Sequence, residues 1–267
     1  MNRPHDTGLE ILLRRASARS HPAPLLFVHG AYTAAWCWDE HFLPFFAQCG
    51  YDAAALSLSG HGRSRGRRHL DSLAIADYVR DVREAVAVLG EEPVLIGHSM
   101  GGMVVQKYLE QWDAPAAVLM ASVPPQGLWG SAMGLAFSRP NLLAELNRLM
   151  TGGRVAMESL RTAMFHQPID EDRLREYAHR MQPESSRAIW DMTLFDLARP
   201  ARMRRPPLLV LGAEHDPLIP PALVEMTATA YGVEACIVPR IGHGMMLEAG
   251  WREPASRIQG WLSGLER

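Results

Sequence analysis

A serine between two glycines is the residue of this chain best placed to act as a nucleophile. Ser99 is the centre of a Gly-His-Ser-Met-Gly stretch at residues 97–101, after the short apolar run 93–96 and before the helical pattern 101–109. A tight turn between a buried strand and a helix lifts the serine hydroxyl out of the sheet, and the glycines let the two backbones pass closely. The start of the helix also offers free N–H groups to a developing oxyanion.

Two further polar residues follow later apolar runs. Asp216 comes after the run 207–211, and His243 comes after the run 236–238. The carboxyl ends of parallel strands lie at one edge of an open α/β sheet, so these residues and Ser99 can converge there. His243 would take the proton of the Ser99 hydroxyl and later protonate the leaving group, while Asp216 would hold the imidazole in the required tautomer. We predict that Ser99, Asp216 and His243 form a catalytic triad.

The loop after the apolar run 25–28 completes the predicted machinery. Its sequence is His29, Gly30, Ala31, Tyr32. Because glycine tolerates most backbone conformations, this loop can turn an N–H group toward the serine. We expect the backbone amides of Ala31 and Met100 to be the oxyanion donors, and the ring of His29 to brace the loop rather than act as the base.

Other histidines and aspartates are weaker candidates for the base and the acid. His166 and His179 fall in a helical insertion that is poorly suited to hold a catalytic imidazole, and His61 lies in an arginine-rich turn. Asp191 and Asp196 lie in or near the same insertion. Asp216 and His243 therefore remain the preferred pair.

Strand and helix patterns alternate through both halves of the chain, which predicts a mainly parallel sheet with helices on both faces. Helices are expected at 38–49, 72–89, 221–231 and 251–262, among others, with Gly90 ending the second. Residues 124–200 carry helical pieces at 141–150, 154–165, 170–179 and 185–197 and no convincing buried strand. We interpret 1–123 and 201–267 as an α/β core and 124–200 as an inserted helical cap.

Composition bounds the function further. The chain has 267 residues, 48% of them hydrophobic, and a formal net charge of −2. That balance favours neither nucleic acid nor an anionic membrane as a partner. The three cysteines show neither metal-ligand spacing nor a disulfide framework, and no apolar run approaches membrane-spanning length. We expect a cytoplasmic protein that uses no metal and no organic cofactor; its oligomeric state is left open.

The predicted cap and loops are rich in flexible and aromatic side chains. Six of the 14 methionines fall within residues 124–200, and methionine adapts to irregular apolar space. A small-to-medium apolar substrate is therefore expected. The tentative pocket residues are Tyr32, Trp129, Phe165, Trp190 and Met245.

Taken together, residues 28–30, residues 97–102, Asp216 and His243 resemble the α/β-hydrolase family, and the resemblance extends from about residue 25 to the C-terminal helix. The residues at 29–31, 36–38 and 245–247 resemble the branch that contains small-molecule esterases and methylesterases. The resemblance implies an α/β-hydrolase fold with about seven or eight strands. A serine at position 99 argues against haloalkane dehalogenase or epoxide hydrolase chemistry, for which this family uses a carboxylate there.

Three functions follow from these patterns. The first is hydrolysis of a carboxylic ester through an acyl-enzyme. The second uses the same triad on a thioester, a lactone or a carbon–carbon bond. The third is a ligand-binding protein on the same scaffold that performs no catalysis. A fold and a triad host many reactions, so the sequence alone does not separate the first two.

Overall fold

A computed structural model describes residues 7–130, 144, 148 and 156–265. Among these residues the sheet has seven strands: β1 (Glu10–Arg14), β2 (Leu25–Val28), β3 (Ala53–Ser57), β4 (Val94–His98), β5 (Ala117–Met120), β6 (Leu208–Ala213) and β7 (Ala235–Val238). Their spatial order is β1-β3-β2-β4-β5-β6-β7. Only β1 pairs antiparallel, with β3; the other five pairings are parallel. The predicted mainly parallel sheet of seven or eight strands is confirmed.

Helices occupy the connections: α1 (Trp36–Asp39), α2 (Phe42–Gln48), α3 (Ile75–Leu89), α4 (Met100–Leu109), α5 (Met157–Met164), α6 (Glu171–Arg180), α7 (Ser186–Trp190), α8 (Pro221–Tyr231) and α9 (Arg252–Leu265). A 3₁₀ turn covers Arg67–Ser72, a π turn Asp191–Phe195 extends α7, and a 3₁₀ turn covers Pro200–Arg202. Within the described residues, every helix is too short or too polar to cross a lipid bilayer.

The two faces of the sheet support two separate cores. Alternate residues of β2 point to opposite faces, so Leu25 and Phe27 pack with α1, α2 and α9, whereas Leu26 and Val28 pack with α3, α4 and α8. All four are completely buried. This arrangement explains why β2 has no polar residue, as expected for a strand covered on both sides.

Two helix predictions differ from the structure. The helix expected at 38–49 is instead two short helices, α1 and α2. The break falls at His41, whose φ of −140° is not helical, and Pro44 in the first turn of α2 has no N–H to donate back across the break. The helix expected from residue 72 begins at Ile75, while Gly90 ends it as predicted with a left-handed φ of 73°.

The described residues of the connection between β5 and β6 form helices joined by loops. It contains α5, α6 and α7, and no strand interrupts its described residues. Side chains that start two of these helices act as caps: Asp170 accepts from the N–H groups of Asp172 and Arg173, and Ser185 accepts from that of Ala188. Apart from residues 144 and 148, the helix predicted at 141–150 lies outside the described residues.

Candidate active site

Ser99 occupies a strained turn between β4 and α4. Its φ of 53° and ψ of −118° lie in a region that residues with a side chain rarely adopt. The turn is fixed by backbone hydrogen bonds: the Ser99 N–H donates to Met120 O at 3.1 Å, and its carbonyl accepts from Gly102 at 3.0 Å and from Val123 at 3.1 Å. Strain that is held this firmly by its surroundings is typical of functional residues.

Two glycines are required at this turn because the backbones of β4, α4 and the end of β2 are in direct contact there. A Cβ on Gly97 would collide with the carbonyl of Gly101, and a Cβ on Gly101 would collide with the carbonyls of Val28 and His29. The start of α4 is thereby packed directly against the end of β2.

The loop after β2 lies against the serine. A Cβ on Gly30 would be 3.0 Å from both the Cβ of Ser99 and Nδ1 of His98. His29 holds this loop: the Leu58 N–H donates to Nε2 of His29 at 3.0 Å, so Nδ1 carries the proton and donates to the Gly30 carbonyl at 2.8 Å. Burial lowers the pKa of His29 to about 3, with the nearby His61 acting in the same direction, which keeps the ring neutral. These contacts are those of a bracing residue.

His243 and Asp216 form a buried pair. Nδ1 of His243 lies 2.6 Å from Oδ2 of Asp216, and the two side chains are 4% and 0% exposed. The other carboxylate oxygen of Asp216 accepts from the N–H groups of Leu218 at 2.8 Å and Ile219 at 2.9 Å. The aspartate is thus fixed from one side and offers its second oxygen to the imidazole. Nε2 of His243 is left as the nitrogen that can accept a proton.

His98 joins the turn that carries Ser99 to the loop after β7 that carries His243, which we call the histidine loop. Its Nε2 lies 2.9 Å from the carbonyl oxygen of His243, and the two rings are 4.7 Å apart between centroids. Since a carbonyl only accepts, Nε2 of His98 is the protonated nitrogen. Burial, together with the neighbouring His243, lowers the pKa of His98 well below its usual value, so the ring is a neutral donor. The residue before Ser99 is therefore hydrogen-bonded directly to His243.

A second set of contacts ties the histidine loop to the β5–β6 connection. The Gly244 N–H donates to the Met164 carbonyl at 2.6 Å, at the end of α5. One carboxylate oxygen of Glu248 accepts from Gly242 at 3.1 Å and from Gln167 at 3.4 Å, and also from the N–H of His166. Burial raises the pKa of Glu248 despite these donors.

The structure separates the predicted pocket residues into two groups. Met245 is fully buried, Phe165 is nearly so and its ring stacks on Tyr177, and Tyr32 is half-buried. Met100, predicted as an oxyanion donor, is also fully buried. By contrast, Trp129 and Trp190 are 57% and 49% exposed, and Trp190 contacts Phe195 on the surface. A side chain that faces solvent to this extent is a poor pocket lining, so neither tryptophan enters our proposal.

The side chains of the alternative acids and bases face solvent or have other partners. His166 and His179 are exposed. Asp191 is buried but accepts from the Ile75 N–H and pairs with an arginine of α7, and Asp196 pairs with the single lysine of the chain. His61 is buried against Glu184. Sequence reasoning did not single out Glu184, Glu248 or the bridging role of His98; for His98, its position beside Ser99 was the one available signal.

The chain is similar to known proteins over part or most of its length. Residues 25–255 match the model of the alpha/beta hydrolase family. Methyl jasmonate esterase 1 of Vitis vinifera is 34% identical over 96 residues, which are 35% of this chain and 36% of the relative. Esterase PIR7B of Oryza sativa subsp. japonica is 33% identical over 116 residues, 41% of each chain. The chain thus spans about two fifths of the length of the curated relatives it matches.

A solved structure extends the likeness over the whole fold. The bromoperoxidase of Bacillus anthracis superposes with a TM-score of 0.76 at 17% identity, covering 96% of each chain. At that identity the likeness concerns the fold alone. The family model matches residues 25–255, which are most of the chain, and the fold superposes on that of the solved structure. We therefore conclude that the chain belongs to the alpha/beta hydrolase family.

Proposed function

We propose that this protein is a serine hydrolase that cleaves a small-to-medium apolar carboxylic ester. The observation that carries the proposal is the bond from His98 to the carbonyl of His243, which places the loop of an oriented imidazole against the turn that carries Ser99. A strained serine, an imidazole held by a buried carboxylate and a glycine loop against the serine are the parts that acyl transfer requires.

The proposed reaction uses these parts in two steps. The Ser99 oxygen attacks the ester carbonyl while Nε2 of His243 takes the serine proton, and Asp216 stabilises the imidazolium that forms. The oxyanion accepts hydrogen bonds from the backbone amides of Ala31 and Met100. His243 then protonates the leaving alcohol, and an acyl-enzyme remains. Water, activated by His243, attacks this acyl group and releases the acid and free Ser99.

The preference for an apolar ester rests on the site and on the relatives. Met100, Met245 and Phe165 supply buried apolar surface at or near the proposed site. The names of the two plant relatives describe esterases, one of methyl jasmonate. We further propose that residues 124–200 are a cap over a core of 1–123 and 201–267. In support, the cap bonds to the histidine loop at Met164 and to the loop after β2 at Gln182, whose N–H donates to Tyr32 O at 2.9 Å.

A fluorophosphonate probe tests the proposal directly. We expect mass spectrometry to locate the adduct on Ser99, and Ser99→Ala to lower hydrolysis of a p-nitrophenyl ester by about a thousandfold or more. Ser122→Ala is the matched control, since Ser122 is buried beside the same turn but hydrogen-bonds to Gln106. Labelling elsewhere, or near wild-type turnover by Ser99→Ala, would refute Ser99 as the nucleophile.

A panel of esters, thioesters and lactones of equal acyl length identifies the type of bond that the protein cleaves. We expect the highest kcat/KM for an ester. A preference for thioester or lactone would keep the triad but change the substrate class, and probe labelling without turnover of any of them would indicate a binding protein.

A further inference from the structure

A buried charged cluster lies between the cap and the core, apart from the proposed triad. Glu184, in the cap between α6 and α7, is 5% exposed. Its Oε2 lies 3.1 Å from Nε2 of His61, and both side chains are completely buried. Its Oε1 accepts from the hydroxyl of Tyr78 at 2.6 Å and from the N–H of Ser185 at 2.8 Å.

The surroundings of His61 favour an ion pair with Glu184, in which His61 is protonated and Glu184 is ionised. Nδ1 of His61 donates to the carbonyl of Ser59 at 3.1 Å, and Nε2 faces the Glu184 carboxylate, so both ring nitrogens face acceptors. Burial alone would lower the pKa of His61 and raise that of Glu184, but their mutual attraction outweighs burial and shifts both pKa values the opposite way. A buried carboxylate that lost this partner would be left uncompensated, which is strongly unfavourable.

Glu184 also contacts the loop after β2, which carries the proposed oxyanion donor Ala31. Oε2 of Glu184 also accepts from the N–H of Tyr32 at 3.4 Å, and the carbonyl of Tyr32 accepts from the N–H of Gln182 at 2.9 Å. Tyr32 has a left-handed φ of 65°, which costs free energy for a residue with a side chain. Two cap residues therefore hold both backbone polar groups of a strained residue that directly follows Ala31.

We propose that Glu184 is a positioning residue that sets the backbone amide of Ala31 through Tyr32. The inference rests on the proposed function, because it gives Ala31 its role as oxyanion donor. His61 and the Tyr78 hydroxyl fix the carboxylate from the core side, so the cap and the core together determine the conformation of Tyr32. The cap thereby contributes to the electrostatics of the reaction as well as to the enclosure of substrate.

We expect loss of the Glu184 carboxylate to lower kcat and to leave KM nearly unchanged. Without the carboxylate, Tyr32 can relax from its left-handed conformation and rotate the Ala31 amide away from the developing oxyanion. Loss of one oxyanion donor lowers kcat by about 10²–10³-fold in known cases, and partial misplacement should have a smaller effect. We expect Glu184→Gln to lower kcat by about 10- to 100-fold while KM changes by less than about threefold.

The experiment compares kcat per active site, counted by titration with the fluorophosphonate probe. Glu176→Gln is the matched control, because Glu176 is a half-exposed cap carboxylate on α6 with surface arginine partners. Tyr78→Phe removes one hydrogen bond but keeps the charge, and should lower kcat in the same direction by less. It decides the question if Glu184→Gln does not fold.

Hydrogen exchange adds a readout that needs no substrate. We expect faster amide exchange in the peptide covering residues 30–34 for Glu184→Gln than for the wild type or Glu176→Gln. A lower melting temperature with unchanged kcat per site and unchanged exchange in that peptide would overturn the inference, leaving the pair only a structural role. Probe labelling of the wild type, with Ser99→Ala as the unlabelled reference, separates this result from failure of the proposed function. That failure would leave the wild type itself unlabelled at Ser99.

Discussion

Asp216→Asn is the substitution whose effect the structure defines most sharply. The two N–H groups of Leu218 and Ile219 both point at Oδ1 of Asp216. An asparagine must therefore place its carbonyl oxygen there, which turns its NH2 group toward Nδ1 of His243. Because NH2 only donates, Nδ1 must become the acceptor and the proton moves to Nε2. That tautomer cannot take a proton from Ser99.

The size of the effect follows from the same contacts. To restore the active tautomer, the asparagine must flip and present its NH2 group to the two backbone donors. Each buried donor that loses its acceptor costs about 1–3 kcal/mol, so the flip costs about 2–6 kcal/mol. At about 1.4 kcal/mol per factor of ten, the active population and kcat fall by roughly 30-fold to 10⁴-fold.

Steady-state hydrolysis of a short-chain p-nitrophenyl ester measures this fall, and nitrogen NMR of the His243 ring reports the tautomer. Asp191→Asn is the control, because Asp191 is equally buried and also accepts a backbone N–H, from Ile75, but lies in the cap. We expect the control to stay within a few-fold of wild type. A folded Asp216→Asn protein with activity within threefold of wild type would refute the tautomer argument and point to another carboxylate.

Three further outcomes follow from the structure. Gly30→Ala should lower kcat by about tenfold or more, because its Cβ would meet Ser99 at 3.0 Å; unchanged kcat would show that the loop can yield. Gly260→Ala in α9, where an added Cβ meets open space, should instead raise the free energy of unfolding by about 0.5–1 kcal/mol and leave kcat unchanged, as urea titration and kinetics would show. Burial raises the pKa of Asp81 from 3.8 to about 6 against the donors of Ser59, so the folded state binds this proton more tightly than the unfolded chain. The contribution of Asp81 to stability should therefore fall as pH rises from about 4 to about 6. Asp81→Asn should remove this contribution from the pH profile of the free energy of unfolding, whereas an unchanged slope would contradict it.

Much of the fold could be predicted because its signals are local. Buried strands such as β2 and β4 are short apolar runs, Gly90 ends α3, and Asp170 and Ser185 precede helices as expected of capping residues. The single helix expected at 38–49 was wrong because the apolar pattern continues across the break at His41, which Pro44 was the one residue in the sequence to signal.

Contacts between distant segments were beyond the reach of sequence patterns. Glu184 and Tyr78 are 106 positions apart, and His166 and Glu248 are 82 positions apart. The exposure of Trp129 and Trp190 was equally beyond reach, since composition identifies an aromatic residue but not the direction in which it points. The roles of Ser99, Asp216 and His243 stay predictions until the labelling and kinetic experiments are done.

The close backbone approach at Gly97 and Gly101 restricts how the protein could be engineered. No side chain at either position can be chosen to reshape the site, because even a methyl group would displace the end of β2 or the start of α4. A mutagenesis library that randomises these positions would consist mainly of misfolded variants. We expect diversity directed at the side chains of the proposed cap, away from its backbone contacts at Met164 and Gln182, to leave the turn that carries Ser99 intact.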